Sequence, residues 1–334
     1  MVLALSKQQE PANDIRLEAL LSISGLTVCF PTPRGLCRAV RDLDLQLASG
    51  TILALVGESG SGKSVTGKAI LGLVEPPGYF ASGEIAVAGE SVLSKTPENL
   101  RLWRGVKAGI IFQDPASSFD QVFTIGAQMV EALTAHGVDV GSARRETLKW
   151  LDGVGFRDPE RIISSYPFEL SGGMRQRAYI AMVMSLRPSL IIADEPTTAL
   201  DMLAQSRLLA LLQQMRQTTS CSIILITHDL GLAAGIADEV LVMYAGQAVE
   251  HGEARNVLSQ PAHPYTRALI GSVNWNNPRG GLATIPGQPP VLSDLPPGCA
   301  FAPRCSEAVA LCKQEEPPDR LQTGAICRCH RPFI

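Results

Sequence analysis

The sequence lacks the features that would suggest direct contact with nucleic acid or with a lipid bilayer. Its 334 residues carry 29 Lys and Arg against 32 Asp and Glu, a net charge of −3, so no basic excess exists to attract nucleic acid or anionic lipid. No apolar run approaches the ~20 residues of a membrane-spanning helix, and the longest lies around residues 178–186. Residues 2–5 are too short an apolar stretch for a secretory leader. We therefore expect a soluble, intracellular chain that reaches a membrane only through partner proteins.

Cysteine is scarce through most of the chain and crowded near its end. Cys29, Cys37 and Cys221 are scattered, as expected for small buried apolar residues. The remaining cysteines lie within residues 299–329 and are Cys299, Cys305, Cys312, Cys327 and Cys329. Disulfides are disfavoured in the cytosol, so a metal site is the better first interpretation of this group. Thiolates suit zinc and iron–sulfur clusters equally, the spacing matches no short C-x-x-C zinc pattern, and unligated thiols are the third alternative.

Hydrophobic patterning divides the chain into segments of different character. Residues 1–20 are polar and predict a flexible N-terminus, and short alternating segments over 21–47 predict antiparallel strands. Continuous apolar runs at 52–56, 109–112, 190–193 and 222–226 predict strands buried on both faces, with helical spacing at 65–74, over much of 121–185 and at 204–217. This alternation predicts a mainly parallel sheet, followed by a hairpin through Ala245 and Gly246. Proline and glycine crowd residues 278–298, which predicts a linker into the cysteine-rich segment.

The glycine-rich run at residues 57–64 fits the phosphate-loop pattern G-x-x-x-x-G-K-[ST]. It follows a predicted buried strand and precedes a predicted helix, which is the context that such a loop requires. Glycines let backbone N–H groups converge on phosphate oxygens, Lys63 adds a positive charge, and Ser64 can bind Mg²⁺. The predicted nucleotide-binding residues are Gly57, Glu58, Ser59, Gly60, Ser61, Gly62, Lys63, Ser64 and Val65.

Two further runs make the pattern specific. Residues 170–174 read Leu-Ser-Gly-Gly-Met, and residues 190–195 form an apolar strand that ends in Asp194 and Glu195. The loop, this signature and the acidic strand in that order resemble the ATP-binding subunits of ATP-binding-cassette (ABC) transporters. The resemblance covers roughly residues 22–331 and implies an α/β fold of the P-loop NTPase type. The expected domains are an ABC ATP-binding domain at 21–270, with an antiparallel β subdomain and a helical subdomain at about 115–187, and a linker with a cysteine-rich extension at 271–334.

The resemblance implies a role for each polar residue at the expected site. ATP hydrolysis requires held phosphates, a placed Mg²⁺ ion, an oriented water and stabilised charge on the γ-phosphate. Lys63 and the loop would hold the phosphates, while Ser64, Asp194 and Gln113 would bind Mg²⁺ directly or through water. Glu195 would orient or deprotonate the attacking water, and His228 would contact the γ-phosphate. Lys63, Gln113, Glu195 and His228 are thus the predicted catalytic residues.

The family also supplies expectations about dimerisation and adenine binding. Ser171, Gly172 and Gly173 of the signature would bind the γ-phosphate held by the other subunit of a head-to-tail dimer. Residues 199–201, which end in Asp201, match the loop through which the two sites communicate. Phe30 is the candidate for stacking on adenine, although it could equally be a core residue.

Features of the C-terminal third narrow the resemblance to importers of oligopeptides and dipeptides. Residues 263–266 read His-Pro-Tyr-Thr, and a cysteine segment follows, as in that branch. There the segment resembles one that binds a [4Fe–4S] cluster, which implies Cys299, Cys305, Cys312 and Cys329 as ligands, with Cys327 as the rival for the fourth position. The chain departs from the branch at residues 119–121 and at Phe168, both of which the resemblance places near the contact with the membrane subunits.

The resemblance therefore predicts an Mg²⁺-dependent ATPase on the cytoplasmic face of the inner membrane. Its expected partners are two permease subunits, a second ATP-binding subunit and, through the permease, a solute-binding protein. Import of nickel, glutathione or a metallophore uses similar ATPases and stays an alternative, because other subunits select the substrate. A cassette ATPase of DNA repair is disfavoured, because only 56 residues separate Gln113 from Leu170, which is too few for a long coiled coil. The cysteine segment could also be a zinc or redox-sensing module.

Overall fold

The computed structural model describes residues 19–114, 118–198, 201–272, 284–322 and 324–331. Most of the predicted flexible N-terminus, as well as Ala199 and Leu200 of the predicted communication loop, therefore lies outside the described residues. The strands are β1 (Leu21–Thr32), β2 (Gly35–Leu47), β3 (Ile52–Val56), β4 (Tyr79–Val87), β5 (Glu90–Ser91), β6 (Ala108–Ile111), β7 (Leu190–Asp194), β8 (Ser222–Thr227), β9 (Glu239–Tyr244), β10 (Gln247–Glu253), β11 (Asp319–Gln322) and β12 (Ala325–Arg328).

The helices alternate with the strands through the centre of the chain. They are α1 (Lys63–Ile70), α2 (Pro97–Trp103), α3 (Ile125–Thr134), α4 (Val140–Gly153), α5 (Pro159–Ser164), α6 (Gly172–Ser185), α7 (Met202–Thr219), α8 (Leu230–Ile236), α9 (Ala254–Ser259) and α10 (Pro264–Ser272). Within the described ranges, no helix is both long enough and apolar enough to cross a membrane.

The smaller sheet has the order β2-β1-β4-β5 and is antiparallel throughout, as predicted for its first segments. The short alternating segments of residues 21–47 form only two long strands, which turn back between Thr32 and Gly35. The pairing of β1 with β2 shifts register between Ile23 and Leu26 and again near Val28. The breaks in alternation within residues 21–32 are therefore bulges inside one strand rather than ends of strands.

The larger sheet has the order β11-β12-β10-β9-β3-β8-β7-β6. Its strands from β9 to β6 are parallel, which confirms the predicted parallel core. Every residue of β3 and β8 is buried, because helices and the smaller sheet cover both faces. The carboxyl ends of β3, β6, β7 and β8 meet at one edge, which is where ligands of such sheets commonly bind.

The helix after the glycine-rich loop is shorter than predicted. The spacing predicted residues 65–74, but α1 begins at Lys63 and ends at Ile70. Gly62, with φ +104°, turns the chain directly into the helix, and Gly72, with φ +62°, directs it away before Pro76 and Pro77. In contrast, α7 extends beyond its predicted residues 204–217.

Helices α3 to α6 fill the predicted helical stretch and share one apolar core with β6, β7 and α7. Each of these helices is preceded by a polar residue whose side chain accepts a hydrogen bond from an N–H group of the first turn. These capping residues are Thr124, Asp139, Asp158 and Ser171. Such caps fix where each helix begins, so they place the signature at the start of α6.

The C-terminal strands were not predicted from the sequence. β12 pairs antiparallel with β10, with Cys327 opposite Glu250, and β11 then forms the outer edge of the larger sheet. The rings of Tyr244, Tyr265 and Phe301 pack with centroids 4.6–5.3 Å apart beneath this segment. The cysteine-rich segment is therefore built onto the same sheet as the glycine-rich loop.

Candidate nucleotide and cysteine sites

The glycine-rich loop connects β3 to α1 and lies tightly against two neighbouring strands. A Cβ at Gly57 would stand 2.2 Å from the carbonyl oxygen of Met243, and one at Gly62 would stand 2.4 Å from that of Ala39. Both glycines also have positive φ angles, +149° and +104°. Only glycine satisfies both constraints, so the position of this loop depends on these two residues.

Lys63 points back into the loop. Its Nζ donates to the carbonyl oxygens of Gly57 at 2.8 Å and Glu58 at 2.9 Å, and its side chain is almost fully buried. Burial lowers the pKa of the Lys63 ammonium, while the nearby carboxylates of Glu195 and Asp194 oppose that effect. The charge is thus held at the centre of the loop, on acceptors that phosphate oxygens can replace.

Ser64 and Asp194 come together at the carboxyl ends of β3 and β7. The Ser64 hydroxyl donates to Asp194 Oδ1 at 2.8 Å. Burial raises the pKa of Asp194, and the hydrogen bond from Ser64 partly offsets this shift. A hydroxyl beside a carboxylate supplies the hard oxygen ligands that Mg²⁺ prefers, so these residues fit the predicted ion.

Glu195 follows Asp194 in a strained backbone conformation, with φ +45°, and its N–H donates to the carbonyl oxygen of Ile226 at 2.9 Å. Its carboxylate accepts a hydrogen bond from Thr198 Oγ1 at 2.9 Å. Gln113 Nε2 lies 3.5 Å from Oε2 of this carboxylate, and His228 Nδ1 lies 3.5 Å from Oε1. The structure therefore brings Gln113 and His228 to the Glu195 carboxylate. Lys63, the fourth predicted catalytic residue, lies near enough for this carboxylate to affect its pKa.

The other loop residues serve the backbone framework. The N–H of Ser61 donates to the Glu58 carbonyl at 3.3 Å, and the Ser61 carbonyl accepts from Gly246 N–H at 2.9 Å. Gly60 faces open space with φ +78°, whereas Val65 packs against the apolar core. Ser59 is exposed at the tip of the loop. Nucleotide binding by these residues stays a prediction.

Phe30 and Asp201 occupy structural positions that leave their predicted roles untested. The Phe30 ring is partly buried against the core and fits over Gly78, where a Cβ would stand 2.4 Å from the ring. Asp201 caps α7 by accepting from Ala204 N–H at 2.8 Å. Adenine stacking by Phe30 and communication through Asp201 stay predictions.

The signature lies on a separate surface. Ser171 caps α6 by accepting from Met174 N–H at 3.4 Å, and Cβ atoms on Gly172 or Gly173 would meet no described atom within 4 Å beyond their chain neighbours and the backbone of α6. Ser171, Gly173 and Met174 line a groove of about 530 Å³ between α6 and α7, whose lining does not include the glycine-rich loop. The open start of α6 suits an anion brought by another molecule.

Glu58 makes contacts that the sequence analysis missed. Its carboxylate receives two hydrogen bonds from Arg304, at 2.6 and 3.0 Å, and its N–H donates to the Tyr265 hydroxyl at 2.8 Å. Tyr265 belongs to the His-Pro-Tyr-Thr run, which was recognised only as a family motif. Arg304 stands between two cysteines, 246 residues from Glu58, and nothing in the local sequence indicates that they meet.

The predicted cysteine ligands surround one small cavity at the end of the chain. Cys299, Cys305, Cys312 and Cys329 line it together with His263 and His330, whereas Cys327 packs against Ala262 and Cys329 outside it. No three His, Cys, Asp or Glu side chains among the described residues converge as closely as the ligands of a single metal ion. Four thiols around one cavity form a donor set that suits either zinc or an iron–sulfur cluster.

Backbone N–H groups support these thiols. Cys329 Sγ accepts from Arg331 N–H at 3.3 Å, and the thiols of Cys299 and Cys305 receive backbone hydrogen bonds from residues just after them. Burial raises the pKa of Cys299 and Cys305 and raises that of Cys329 to about 11, while these hydrogen bonds act in the opposite direction. Metal binding would therefore release protons from neutral thiols.

Comparison with known proteins identifies the family. Residues 40–198 match the family described as "ABC transporter", and residues 249–312 match "Oligopeptide/dipeptide transporter, C-terminal region". The oligopeptide transport ATP-binding protein OppD of Salmonella typhimurium is 42% identical over 97% of this chain and 95% of its own length. OppD of Bacillus subtilis is 43% identical over 91% and 86%, and the dipeptide transport ATP-binding protein DppD of Haemophilus influenzae is 41% identical over 94% and 96%.

Solved structures agree on the fold. A dimeric ATP-binding cassette in a post-hydrolysis state with ADP and Pi superposes with a TM-score of 0.63 at 23% identity, over 70% of this chain and 99% of that one. CbiO1 of Clostridium perfringens gives a TM-score of 0.62 over 72% and 91%. These likenesses confirm the predicted fold class. The chain belongs to the ATP-binding subunits of ABC transporters, in the oligopeptide and dipeptide transporter branch.

Proposed function

We propose that this chain hydrolyses ATP to drive peptide import through a membrane permease. The observation that carries the proposal is the convergence of Gln113, Glu195 and His228 beside Lys63. Two relatives that align with this chain over nearly their whole length are named for oligopeptide and dipeptide transport, which supports the same conclusion. ATP would lie with its phosphates in the glycine-rich loop.

Phosphate binding uses the loop backbone and Lys63. The loop's N–H groups and the start of α1 offer donors to anionic oxygens, and the Lys63 ammonium exchanges its carbonyl acceptors for phosphate. Ser64 and Asp194, already in contact, would hold Mg²⁺. When bound, Mg²⁺ neutralises charge that develops on the phosphate oxygens during transfer.

Glu195 is positioned to act on the attacking water. Glu195 directly follows the end of β7, and the Thr198 hydroxyl donates a hydrogen bond to one oxygen of its carboxylate. Gln113 and His228 flank the same carboxylate, so they can orient the water and contact the γ-phosphate once a nucleotide is present. The His228 side chain is 60% exposed, so a bound nucleotide can reach it.

A second ATP-binding subunit would complete each site. The backbone is open at Gly172 and Gly173, and Gly173 lines the groove between α6 and α7, whose lining does not include the chain's own glycine-rich loop. A head-to-tail partner would bring its bound γ-phosphate to this helix start. We propose that two such subunits act on two permease subunits at the cytoplasmic face of the inner membrane, and that a solute-binding protein delivers the substrate.

We further propose that Cys299, Cys305, Cys312 and Cys329 bind a [4Fe–4S] cluster. They line one cavity, and backbone N–H groups reach at least three of the thiols. Such hydrogen bonds stabilise cluster thiolates. The test is iron, sulfide and zinc analysis of protein purified without oxygen: iron with equal sulfide supports the cluster, whereas zinc or no metal contradicts it.

The transport proposal is tested by uptake of labelled dipeptides and oligopeptides into cells that lack duplicate importers. Lys63→Ala should abolish uptake, and Lys149→Ala, which replaces an exposed lysine on α4, is the matched control. Unchanged peptide uptake in Lys63→Ala cells would remove the peptide assignment. Uptake of nickel, glutathione and metallophores in the same strains then identifies the alternative substrate.

A further inference from the structure

Glu58, the second residue of the glycine-rich loop, is engaged through all three of its polar groups. Its carbonyl accepts from Lys63 Nζ at 2.9 Å, its N–H donates to the Tyr265 hydroxyl at 2.8 Å, and its carboxylate forms the bidentate pair with Arg304. The Lys63 contact is part of the phosphate site. The other two contacts come from the C-terminal third of the chain, so this loop is held from outside the ATPase motifs.

Arg304 is itself held in one orientation. Its side chain is only 5% exposed, its Nε donates to the Pro286 carbonyl at 2.8 Å, and one terminal nitrogen also donates to the Tyr244 hydroxyl at 3.3 Å. The guanidinium lies 5.8 Å from the centre of the Tyr244 ring and 6.0 Å from that of Phe301. A planar arginine fixed in this way presents a rigid fork to the Glu58 carboxylate.

The support for Arg304 comes from the cysteine-rich segment. Arg304 ends a short helical turn, Ala302–Arg304, and directly precedes Cys305. The N–H of Cys299 donates to the Cys312 carbonyl at 2.8 Å, and that of Arg304 donates to the Phe301 carbonyl at 2.9 Å, which closes the loop that carries the arginine. The position of the guanidinium therefore depends on the folded segment.

We propose that Arg304 is a positioning residue for nucleotide binding, which holds the glycine-rich loop through Glu58 in the conformation that accepts phosphate. A loop that is already ordered loses less entropy when it binds a ligand. The Arg304–Glu58 side-chain pair therefore strengthens ATP binding indirectly, whereas the backbone of Glu58 belongs to the predicted phosphate site itself. The pair also makes ATP affinity depend on the folded cysteine-rich segment, and by reciprocity bound ATP stabilises that segment. This inference rests on the proposed function only in requiring that the loop binds ATP.

The test compares two arginine–carboxylate pairs whose arginines both lie in the C-terminal segment. Arg328 forms a bidentate pair with Asp319 at 2.7 and 3.0 Å, next to Cys329, but neither residue contacts the glycine-rich loop in the described structure. ATP affinity of the full-length purified protein is measured by titration calorimetry for the wild type, Arg304→Ala, Glu58→Gln and the matched control Asp319→Asn. We expect about tenfold weaker ATP binding for the first two variants and less than twofold change for the control.

Three readouts separate positioning from general stability. Circular dichroism and thermal melting identify the temperature range in which each variant is folded, and binding is compared only there. Hydrogen exchange should be faster at residues 58–62 in Arg304→Ala, and steady-state kinetics should show a raised KM with kcat nearly unchanged. Arg304→Lys keeps the packed stem and the charge but cannot form the fork, so it should recover part of the affinity and covers the case in which Arg304→Ala does not fold.

The double variant Arg304→Ala with Glu58→Gln should bind ATP no more weakly than the weaker single variant, because both changes break one interaction. ATP binding within twofold of the wild type in folded Arg304→Ala, an equal loss in Asp319→Asn, or additive losses in the double variant would each overturn the proposal. A wild type that does not bind ATP would instead contradict the proposed function, so the two failures are distinguishable.

Discussion

The nucleotide site and the cysteine site are built in opposite ways. At the nucleotide site, most of the predicted nucleotide-binding and catalytic residues are neighbours in the sequence or lie at the carboxyl ends of adjacent parallel strands. At the cysteine site, thiols from residues 299 to 329 meet through turns and one antiparallel strand pair. The difference shows why the first site could be recognised from short motifs, whereas the second depends on tertiary folding.

The two sites also differ in exposure. Ser64 is exposed and His228 is mostly exposed, as expected for a site that must admit and release a ligand in every cycle. Cys312 and Cys329 are at most 9% exposed, and burial raises the thiol pKa of Cys329 to about 11. Cys299 and Cys305 are half-buried, and together this burial suits the permanently bound cluster that we propose.

Glu195→Gln should slow ATP hydrolysis by ~10²–10⁴-fold, because the amide cannot accept a proton from water. ATP binding should persist, since Lys63 and the loop are unchanged. Glu239→Gln is the matched control, because Glu239 also pairs with a histidine, His251 at 2.9 Å, away from the nucleotide site. Phosphate release and ATP affinity are measured in parallel. Near-normal turnover in Glu195→Gln would place the base elsewhere.

Serine substitutions should divide the cysteines into two groups. Replacing Cys299, Cys305, Cys312 or Cys329 should abolish most bound iron, because each thiol lines the cavity. Cys327→Ser should retain iron, since Cys327 packs outside the cavity. Cys37→Ser, in the smaller sheet, controls for thiol loss. Loss of iron from Cys327→Ser with retention in Cys329→Ser would reverse the assignment of the fourth ligand.

Alanine substitutions in the glycine-rich loop should weaken ATP binding unequally. Gly57 and Gly60 both have positive φ angles, but only a Cβ at Gly57 collides with a backbone carbonyl, at 2.2 Å. Backbone strain of this kind costs about 1–3 kcal/mol, so Gly57→Ala should lose roughly 5- to 150-fold in ATP affinity and Gly60→Ala should lie near the low end. Equal losses measured by calorimetry would show that the collision with Met243 is unimportant.

An effect of similar size concerns pH and the cysteine side of the molecule. Burial lowers the pKa of His263 to about 3, and its Nδ1 accepts from Tyr265 N–H at 3.0 Å. The unfolded chain gains this proton near pH 6.5 and the folded one does not, so stability present above pH 6.5 is lost as the pH falls toward 3. From pH 7 to 5 the loss is about 2 kcal/mol.

His263→Asn should flatten this pH dependence, because asparagine does not titrate and its oxygen can still accept the Tyr265 N–H. Urea unfolding of metal-free protein at both pH values provides the measurement. An unchanged slope in the variant would assign the pH effect to other groups.

Much of the fold followed from local patterns. The apolar run of β3 and the hairpin through Ala245 and Gly246 were predicted nearly residue by residue, because buried parallel strands and turns have distinctive composition. The end of α1 was wrong, since Gly72 stops the helix before the apolar spacing ends. Strands β11 and β12 were missed, because they are short and pair with a strand far away in the sequence.

The candidate site likewise contains residues that local patterns predict and residues that they do not. Lys63, Ser64 and Asp194 could be placed from motifs, since strand ends bring them together. The pairing of Glu58 with Arg304 could not, because 246 residues separate them and an arginine between cysteines has no distinctive local pattern. Only the packing of the C-terminal segment onto the sheet brings that side chain to the loop.

The pairing of β12 with β10 has a consequence for the time course of synthesis. β10 ends at Glu253 and its neighbour begins at Ala325, so the ribosome must add about 70 residues before β10 gains its partner. At ~5–20 residues per second, this strand spends roughly 4 to 14 seconds as an exposed edge, open to pairing with another chain. A message truncated in its last codons would make that interval permanent, so premature termination there should yield aggregating protein rather than a shorter ATPase.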